Sequence, residues 1–388
     1  MRFGEGDADK SDQNDRKTQS VGDQDLGQTT RHDLGTVVST TDADVVVIGA
    51  GIVGLATAYA LRPDGARVAV LEQFAMGHKR GSSHGTARIF KVSYPDAEFV
   101  EMAQASLGRW RELETLTGIE ILTQTGTIDT GDLTGRCRAL ETCGATYELL
   151  ESIDVRKRFA LDMPEAGTAL FQADGGVLHA DRACAALRSA LGGNGVEVTD
   201  NTRVQHIALR DGFVDLRTNV GTLTTSAVVV TAGAWVNRVI SGLGINLNVA
   251  PVRETVAYFE TAIAYPAPTL SQFRTEAKEV DYGLVTRDGT LKVGISGSGS
   301  PTDPEEEGQI DSAVVTRAAS WAARHFRLRN TTPIAAESCL YTNAPDERFI
   351  LERHGRIIIG SACSGHGFKF APKVGERLAA LAIEGASD

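Results

Sequence analysis

The sequence predicts an α/β fold in which a parallel-sheet domain is interleaved with a second, β-sheet-rich α+β domain. Three observations carry this. Near residue 50 a β-branched strand runs straight into a glycine turn and a helix. A second apolar strand follows and ends on an acid. Far downstream, Val249–Glu260 and Leu284–Gly294 have the β-rich pattern of a mixed or antiparallel sheet.

In chain order, Asp44-Val45-Val46-Val47-Ile48 reads as a parallel strand buried on both faces. Gly49-Ala50-Gly51-Ile52-Val53-Gly54 comes next, then Leu55 to Leu61 at helical spacing and the breaker Pro63-Asp64-Gly65. The second strand, Val68 to Leu71, ends in Glu72, 18 residues beyond Gly54. GxGxxG between strand and helix, with that acid, is the Rossmann-type dinucleotide-binding fingerprint. Gly49 permits the tight turn, Gly51 lets the backbone approach a pyrophosphate at the helix N-terminus, and Gly54 allows close helix–strand packing. The Glu72 carboxylate accepts from a ribose hydroxyl and opposes a 2′-phosphate, which disfavours NADP. The motif alone does not separate NAD from FAD.

Leu107, Trp110, Leu113 and Leu116 predict an amphipathic helix over Ala97–Thr117. Further helices are expected at Asp181–Leu191, Asp311–Phe326 and Ala371–Ile383, with Pro301–Gly308 a solvated turn before the third. Ala227 to Val230 is an apolar strand ending in a turn at Gly233.

Composition narrows the function. The chain of 388 residues is 42% hydrophobic, with 39 Lys and Arg against 50 Asp and Glu, a net charge of −11. That acidic balance argues against a nucleic-acid scaffold. Five irregularly spaced cysteines exclude a disulfide framework and a CxxC zinc site, so no metal is expected, and they suit a reducing compartment. Residues 1–41 hold eight acids, five bases and few apolar side chains, and are expected as a disordered extension with no signal-peptide core. Val45–Leu61 is too short and too glycine-rich to span a membrane. No Ser-Lys-Leu ends the sequence, and a cytoplasmic location is expected.

Four later segments separate the two cofactors. They are Gly81-Ser82-Ser83-His84-Gly85-Thr86-Ala87-Arg88-Ile89-Phe90-Lys91, Gly289-Thr290-Leu291-Lys292-Val293-Gly294, Cys339-Leu340-Tyr341-Thr342-Asn343-Ala344-Pro345-Asp346 and Ser364-Gly365-His366-Gly367-Phe368-Lys369-Phe370. In that order the chain, from about Asp44 onward, resembles the monomeric sarcosine oxidase and N-methyltryptophan oxidase family of D-amino-acid-oxidase-like flavoproteins. The resemblance implies an FAD-binding domain built from residues 42–121, 172–241 and 345–388. It implies a substrate domain built from 122–171 and 242–344. It also implies an FAD-dependent oxidase of a small secondary or N-methyl amino acid. Such an enzyme passes a hydride from the C–H beside the amine to flavin N5, giving an imine, and dioxygen then reoxidises the flavin to give hydrogen peroxide. A monomer or small homo-oligomer is expected.

The same resemblance assigns roles. Cys339 is the cysteine bonded through sulfur to the flavin 8α-methyl carbon; read alone it is an inert core thiol, the reading kept for Cys137, Cys143, Cys184 and Cys363. Lys292 is the oxygen-activating lysine, although strand alternation alone would point it to solvent. Lys91 and Lys369 clamp the substrate carboxylate. Ser82, His84 and Arg88 lie in the loop covering the flavin, with Arg88 packed on its ring as a cation. Gly365, His366, Gly367 and Phe368, before the last helix, favour the negative edge of a reduced flavin. Val204 meets the adenine, and Gly233 turns the chain back into the FAD domain.

Departures from the family concern the pocket. Lys91 stands where arginine is usual, Ser296 where the family has a histidine, and Ala87 where threonine is common; Tyr282 matches an active-site tyrosine across a one-residue gap. Lysine is a point charge where arginine offers a fork, so the acid group is held differently. Open alternatives are a dehydrogenase or tailoring oxidase of a cyclic imino acid such as pipecolate or proline, a non-catalytic flavin-binding subunit, and an NAD-only dehydrogenase.

Overall fold

In the computed structural model the described residues are 42–164, 167–192, 194–274, 279–361 and 364–387. The expectation of a disordered tail over 1–41 falls outside them, as does the one for Cys363. The β-branched run forms strand Ala43–Ile48, paired in parallel with Val68–Leu71 on one side and Thr222–Val230 on the other. Glu197–Thr199 and Ile357–Ser361 extend the parallel array outward. Val45 and Val47 face one core with Leu55, Leu187 and Leu378, whereas Val46 and Ile48 face another with Ile207, Leu216 and Val230. Two covered faces explain why this strand is apolar at consecutive positions. The second cover is the hairpin Val204–Leu209 and Val214–Thr218, which runs on antiparallel from the start of the long strand.

Helices Ile52–Leu61 and Ala371–Ser387 both begin just past the carboxyl ends of parallel strands, the edge where α/β sheets bind ligands. They pack closely because Gly375 faces the backbone of Ala56: an added Cβ would lie 2.6 Å from the Ala56 carbonyl carbon. The expected helices form at Ala97–Thr117, Ala180–Gly192 and Ser312–His325.

The second sheet is largely antiparallel and includes Ala250–Glu260, Thr290–Ser296, Glu279–Val285 and Thr269–Arg274, with Ala335–Asn343 added along the first of these. Its one parallel pairing joins Thr269–Arg274 to Thr127–Thr130. Helix Ser312–His325 covers one face through Trp321 and Phe326 beside it. A small third sheet was not anticipated: Arg88–Phe90, Gly176–Leu178 and Leu122–Thr123. Arg88 therefore opens a strand and does not sit in a loop. The Pro301–Gly308 stretch is also more than a solvated turn. Its acids dock on arginines: Glu305 accepts from Arg80 at 2.9 Å and from the Trp235 indole at 3.0 Å, and Asp303 pairs with Arg238 at 2.5 Å. Among the described residues no helix is long and apolar enough to cross a membrane.

The glycine contacts give a two-sided prediction. Gly375→Val should lower unfolding free energy by about 3 kcal/mol through overpacking against Ala56. Gly108→Ala, on an exposed helix position with open space around it, should raise it by about 0.5–1 kcal/mol. Denaturant titration of the two variants checks both signs.

Candidate active site

The first turn is built for a close ligand. Gly49 adopts φ +102°, and a Cβ there would lie 2.7 Å from the Thr231 carbonyl oxygen. At Gly54 a Cβ would lie 1.9 Å from the Gly49 carbonyl oxygen, so the helix can start directly beneath the turn only with glycine. Gly51 caps the helix, whose first turn holds no acid. Ser83 Oγ accepts from the Ile52 amide at 3.0 Å and ties a second loop to this N-terminus. Glu72 is buried, accepting from the amides of Ala50 at 2.9 Å and Phe74 at 3.0 Å. Burial works to raise its pKa, but His78 and those two amides outweigh it and hold the carboxyl below its ordinary value. The anionic acceptor is thus fixed in place.

From this turn a cavity of about 1080 Å³ extends between the two large sheets. Every residue expected at the site lines it except Gly54, which lies under the turn. Val204 and Gly233 stand with Gly49 and Glu72 on the wall of the first sheet, and Tyr282, Lys292 and Cys339 come from the second. Its volume, its glycine-lined approach to a helix N-terminus and the Glu72 acceptor fit a bound dinucleotide.

The segment 81–91 forms the middle of the wall. Arg88 donates to three carbonyls of its own segment, those of Ala87 at 2.8 Å, Ser82 at 2.9 Å and His84 at 2.7 Å, and lies 5.6 Å from the Phe368 ring centroid. Ser82 donates through Oγ to the Leu340 carbonyl, joining the segment to the strand that bears Cys339. His84 donates from Nδ1 to the Gly81 carbonyl at 2.7 Å, and burial lowers its pKa. Lys292 does not point to solvent. It is 6% exposed, and its Nζ donates to the Ala87 carbonyl at 3.2 Å. Burial pushes its pKa down to about 7, with repulsion from Arg88 adding to the effect. The Ala87 departure leaves this contact intact because the lysine uses the backbone.

Lys91 and Lys369 meet across one ring. Their Nζ atoms lie 5.3 and 5.7 Å from the Tyr94 centroid. Lys369 donates to the His366 carbonyl at 2.9 Å, while its own carbonyl accepts from the Trp110 indole at 3.0 Å. Burial and then Lys91 and Arg88 drive its pKa well below the ordinary value. Burial also takes Lys91 to about 7, against the pull of Asp129, whose carboxylate is 4.0 Å away.

His366 is packed among Phe99, Phe349 and Phe370, with Nε2 at 3.0 Å from the Glu347 carbonyl. Burial drops its pKa to about 3, so the ring stays neutral. Tyr282 is likewise kept protonated by burial, and Gly294 makes room for it: a Cβ there would lie 2.5 Å from the hydroxyl. Cys339 is half-buried and lies opposite Glu254 in the sheet register. Cys184, a free thiol, is pushed up to about 11 by burial, which suits an inert role. No group of metal-ligating side chains occurs among the described residues.

Sequence reasoning missed four residues here: Tyr94, Asp129, Arg136 and Phe273. Lys91 Nζ lies 4.2 Å from the Phe273 centroid and the Arg136 guanidinium 3.5 Å from it. A charged residue in the first turn of helix Thr134–Thr142 carries no local signal of this meeting.

Residues 44–381 match the family described as FAD dependent oxidoreductase, DAO. The chain is 31% identical to the monomeric sarcosine oxidase of Arthrobacter sp. strain TE1826, over 89% of this chain and 94% of that protein. It is 33% identical to the peroxisomal sarcosine oxidase of Mus musculus, over 88% and 92%. In fold it is similar to NikD, an unusual amino acid oxidase essential for nikkomycin biosynthesis, with a TM-score of 0.79 over 89% of this chain and 95% of that one at 24% identity. A family match over nearly all the described residues, with a glycine turn, acceptor carboxylate and cavity that fit the dinucleotide, shows that this chain belongs to the DAO family of FAD-dependent oxidoreductases.

Proposed function

We propose that the chain oxidises a small secondary or N-methyl amino acid at the C–H beside its amine, giving an imine and, through dioxygen, hydrogen peroxide. The observation that carries this is the buried pair Lys91 and Lys369, both in contact with the Tyr94 ring and both lining the cavity that Lys292 also lines. FAD supplies the hydride acceptor when bound. Gly49, Gly51 and Glu72 would hold its pyrophosphate and ribose, Val204 and Gly233 its adenine end, and the Gly365–Phe368 loop the negative edge of its ring system. Arg88, Ser82 and His84 would shape the wall over that ring, and Cys339 would tether it through sulfur to the 8α-methyl carbon, the two electrons released passing to the ring system and on to dioxygen. Tyr282 and His366 stay neutral and border the substrate space.

Lys91 and Lys369 take the substrate carboxylate, which places the amine-bearing carbon toward the flavin. Lys292 offers an ammonium to negative charge developing on dioxygen. Cys137, Cys143 and Cys184 are free thiols, which supports a reducing, cytoplasmic setting, and a monomer or small homo-oligomer remains our reading. A cyclic imino acid is the second substrate reading, favoured by the lysine at position 91 and Ser296.

The purified protein should be yellow, bleach anaerobically with at least one secondary amino acid, and recover in air with release of peroxide. A yellow protein that bleaches with none of sarcosine, N-methyl amino acids, proline or pipecolate would sink the reading. Slow recovery in air would convert it to a dehydrogenase. Lys292→Met should slow reoxidation by dioxygen about 100-fold or more while changing flavin reduction far less, as read by stopped-flow absorbance. After acid precipitation the colour should stay with wild-type protein and pass to the supernatant in Cys339→Ala.

A pH dependence follows from Lys91, which Asp129, Arg136, Lys369 and Tyr94 surround. Its amine is charged below about 7 and neutral above. Affinity for a simple carboxylate should therefore fall as pH rises through 7, and binding near pH 8 should take up a proton. Calorimetry in buffers of different ionisation enthalpy measures that uptake.

A further inference from the structure

Three basic side chains are linked through two aromatic rings on the lining of the cavity. Lys369 and Lys91 share the Tyr94 ring, and Lys91 and Arg136 share the Phe273 ring, so Lys91 is the middle member. All three line the cavity. Asp129, 4.0 Å from Lys91, faces the row, and both it and Asp132 favour the charge of Arg136 through space. One substrate carboxylate between Lys369 and Lys91 leaves Arg136 unused.

Arg136 is held at some cost. It is 8% exposed, and burial works against its charge. It also sits in the first turn of its helix, where the macrodipole disfavours a cation by about 0.3–1 kcal/mol. Its guanidinium lies 3.5 Å from the Phe273 ring centroid, and one of its five N–H donors is engaged, by the Ser93 carbonyl at 2.9 Å. Its other nitrogens have no partner among the described residues. Close by, the buried Tyr94 hydroxyl, on a residue that also lines the cavity, has none either. A planar, permanently charged fork with a free edge in a cavity suits a carboxylate.

We propose that Arg136 forms a second anion subsite, and that the preferred substrate is an N-substituted amino acid with an acidic side chain, its two carboxylates bridging Lys369–Lys91 and Arg136. This rests on the carboxylate-clamp reading above. Arg136 is then the residue that sets substrate class, and Phe273 orients it by holding the guanidinium flat.

The test uses the FAD-loaded enzyme and reads the shift of its visible absorbance on titration with acetate, propionate, succinate and glutarate at pH 6.5. A dicarboxylate should bind at least tenfold more tightly than the monocarboxylates. Arg136→Met should remove most of that advantage, and Arg136→Lys should restore part of it. In turnover, N-methylaspartate or N-methylglutamate should show a lower KM than sarcosine, and the KM ratio should collapse in Arg136→Met. Equal affinity of the wild type for both ligand classes overturns the second subsite and leaves the clamp standing. No perturbation by any carboxylate overturns both. An equal loss for both classes in Arg136→Met, unrescued by lysine, makes Arg136 a structural residue and also overturns the proposal.

Discussion

Buried positive charge held by neutral acceptors is the constraint on which the rest of this site depends. Arg88, Lys292 and Lys369 each find backbone carbonyls: Ala87 serves both Arg88 and Lys292, Ser82 and His84 serve Arg88, and His366 serves Lys369. A carbonyl dipole orients a cation without cancelling its charge. A carboxylate in the same place would neutralise it and remove its reason for being there. Burial takes Lys292 down to about 7 and Lys369 well below its ordinary value, and repulsion from neighbouring cations adds to both shifts. An anionic ligand supplies what the protein withholds.

Such an arrangement needs a stiff frame, because a misplaced carbonyl would leave a buried cation unpaired. Each end of segment 81–91 is tied to a different part of the fold. Ser83 binds the amide that opens the first helix, Ser82 binds the Leu340 carbonyl, and Arg88–Phe90 pairs with Gly176–Leu178. The Lys369 segment is anchored by the Trp110 indole and runs into the last helix, which Gly375 lets settle on the backbone of the first. The turn at Gly49 and the loop at Gly365 therefore report to one helix pair. Geometry on the dinucleotide side and on the substrate side is set together.

Much of this was legible in the sequence because it is local. A strand, three glycines and an acid are spaced by covalent geometry, and Lys292, Cys339 and Lys369 stand inside short motifs. What was not legible is non-local. Asp129 lies opposite Ser271, next to Phe273, through the one parallel pairing in an otherwise antiparallel sheet, between strands some 140 residues apart. No periodicity within either strand announces that register. Arg136 reaches Phe273 from a short helix whose pattern is unremarkable. The run Pro301–Gly308 is mostly exposed, as its composition predicts, but its contacts with Arg80, Arg203, Arg238 and Arg253 were not legible because those arginines are distributed over the whole chain.

The lysine at position 91 looks at first like a simple weakening of a carboxylate clamp. The structure gives it a different meaning. Position 91 carries a group that titrates near neutrality, while a guanidinium, which does not titrate, packs on the same Phe273 ring. Permanent positive charge is still present on this wall, at Arg136. A short substrate with one carboxylate reaches only the inner, titratable part of the row. A longer substrate with a second acid group reaches the permanent charge as well. The same exchange that loosens the grip on a small amino acid thus lengthens the site, and selectivity by size and selectivity by charge become one property of the spacing between Lys91 and Arg136.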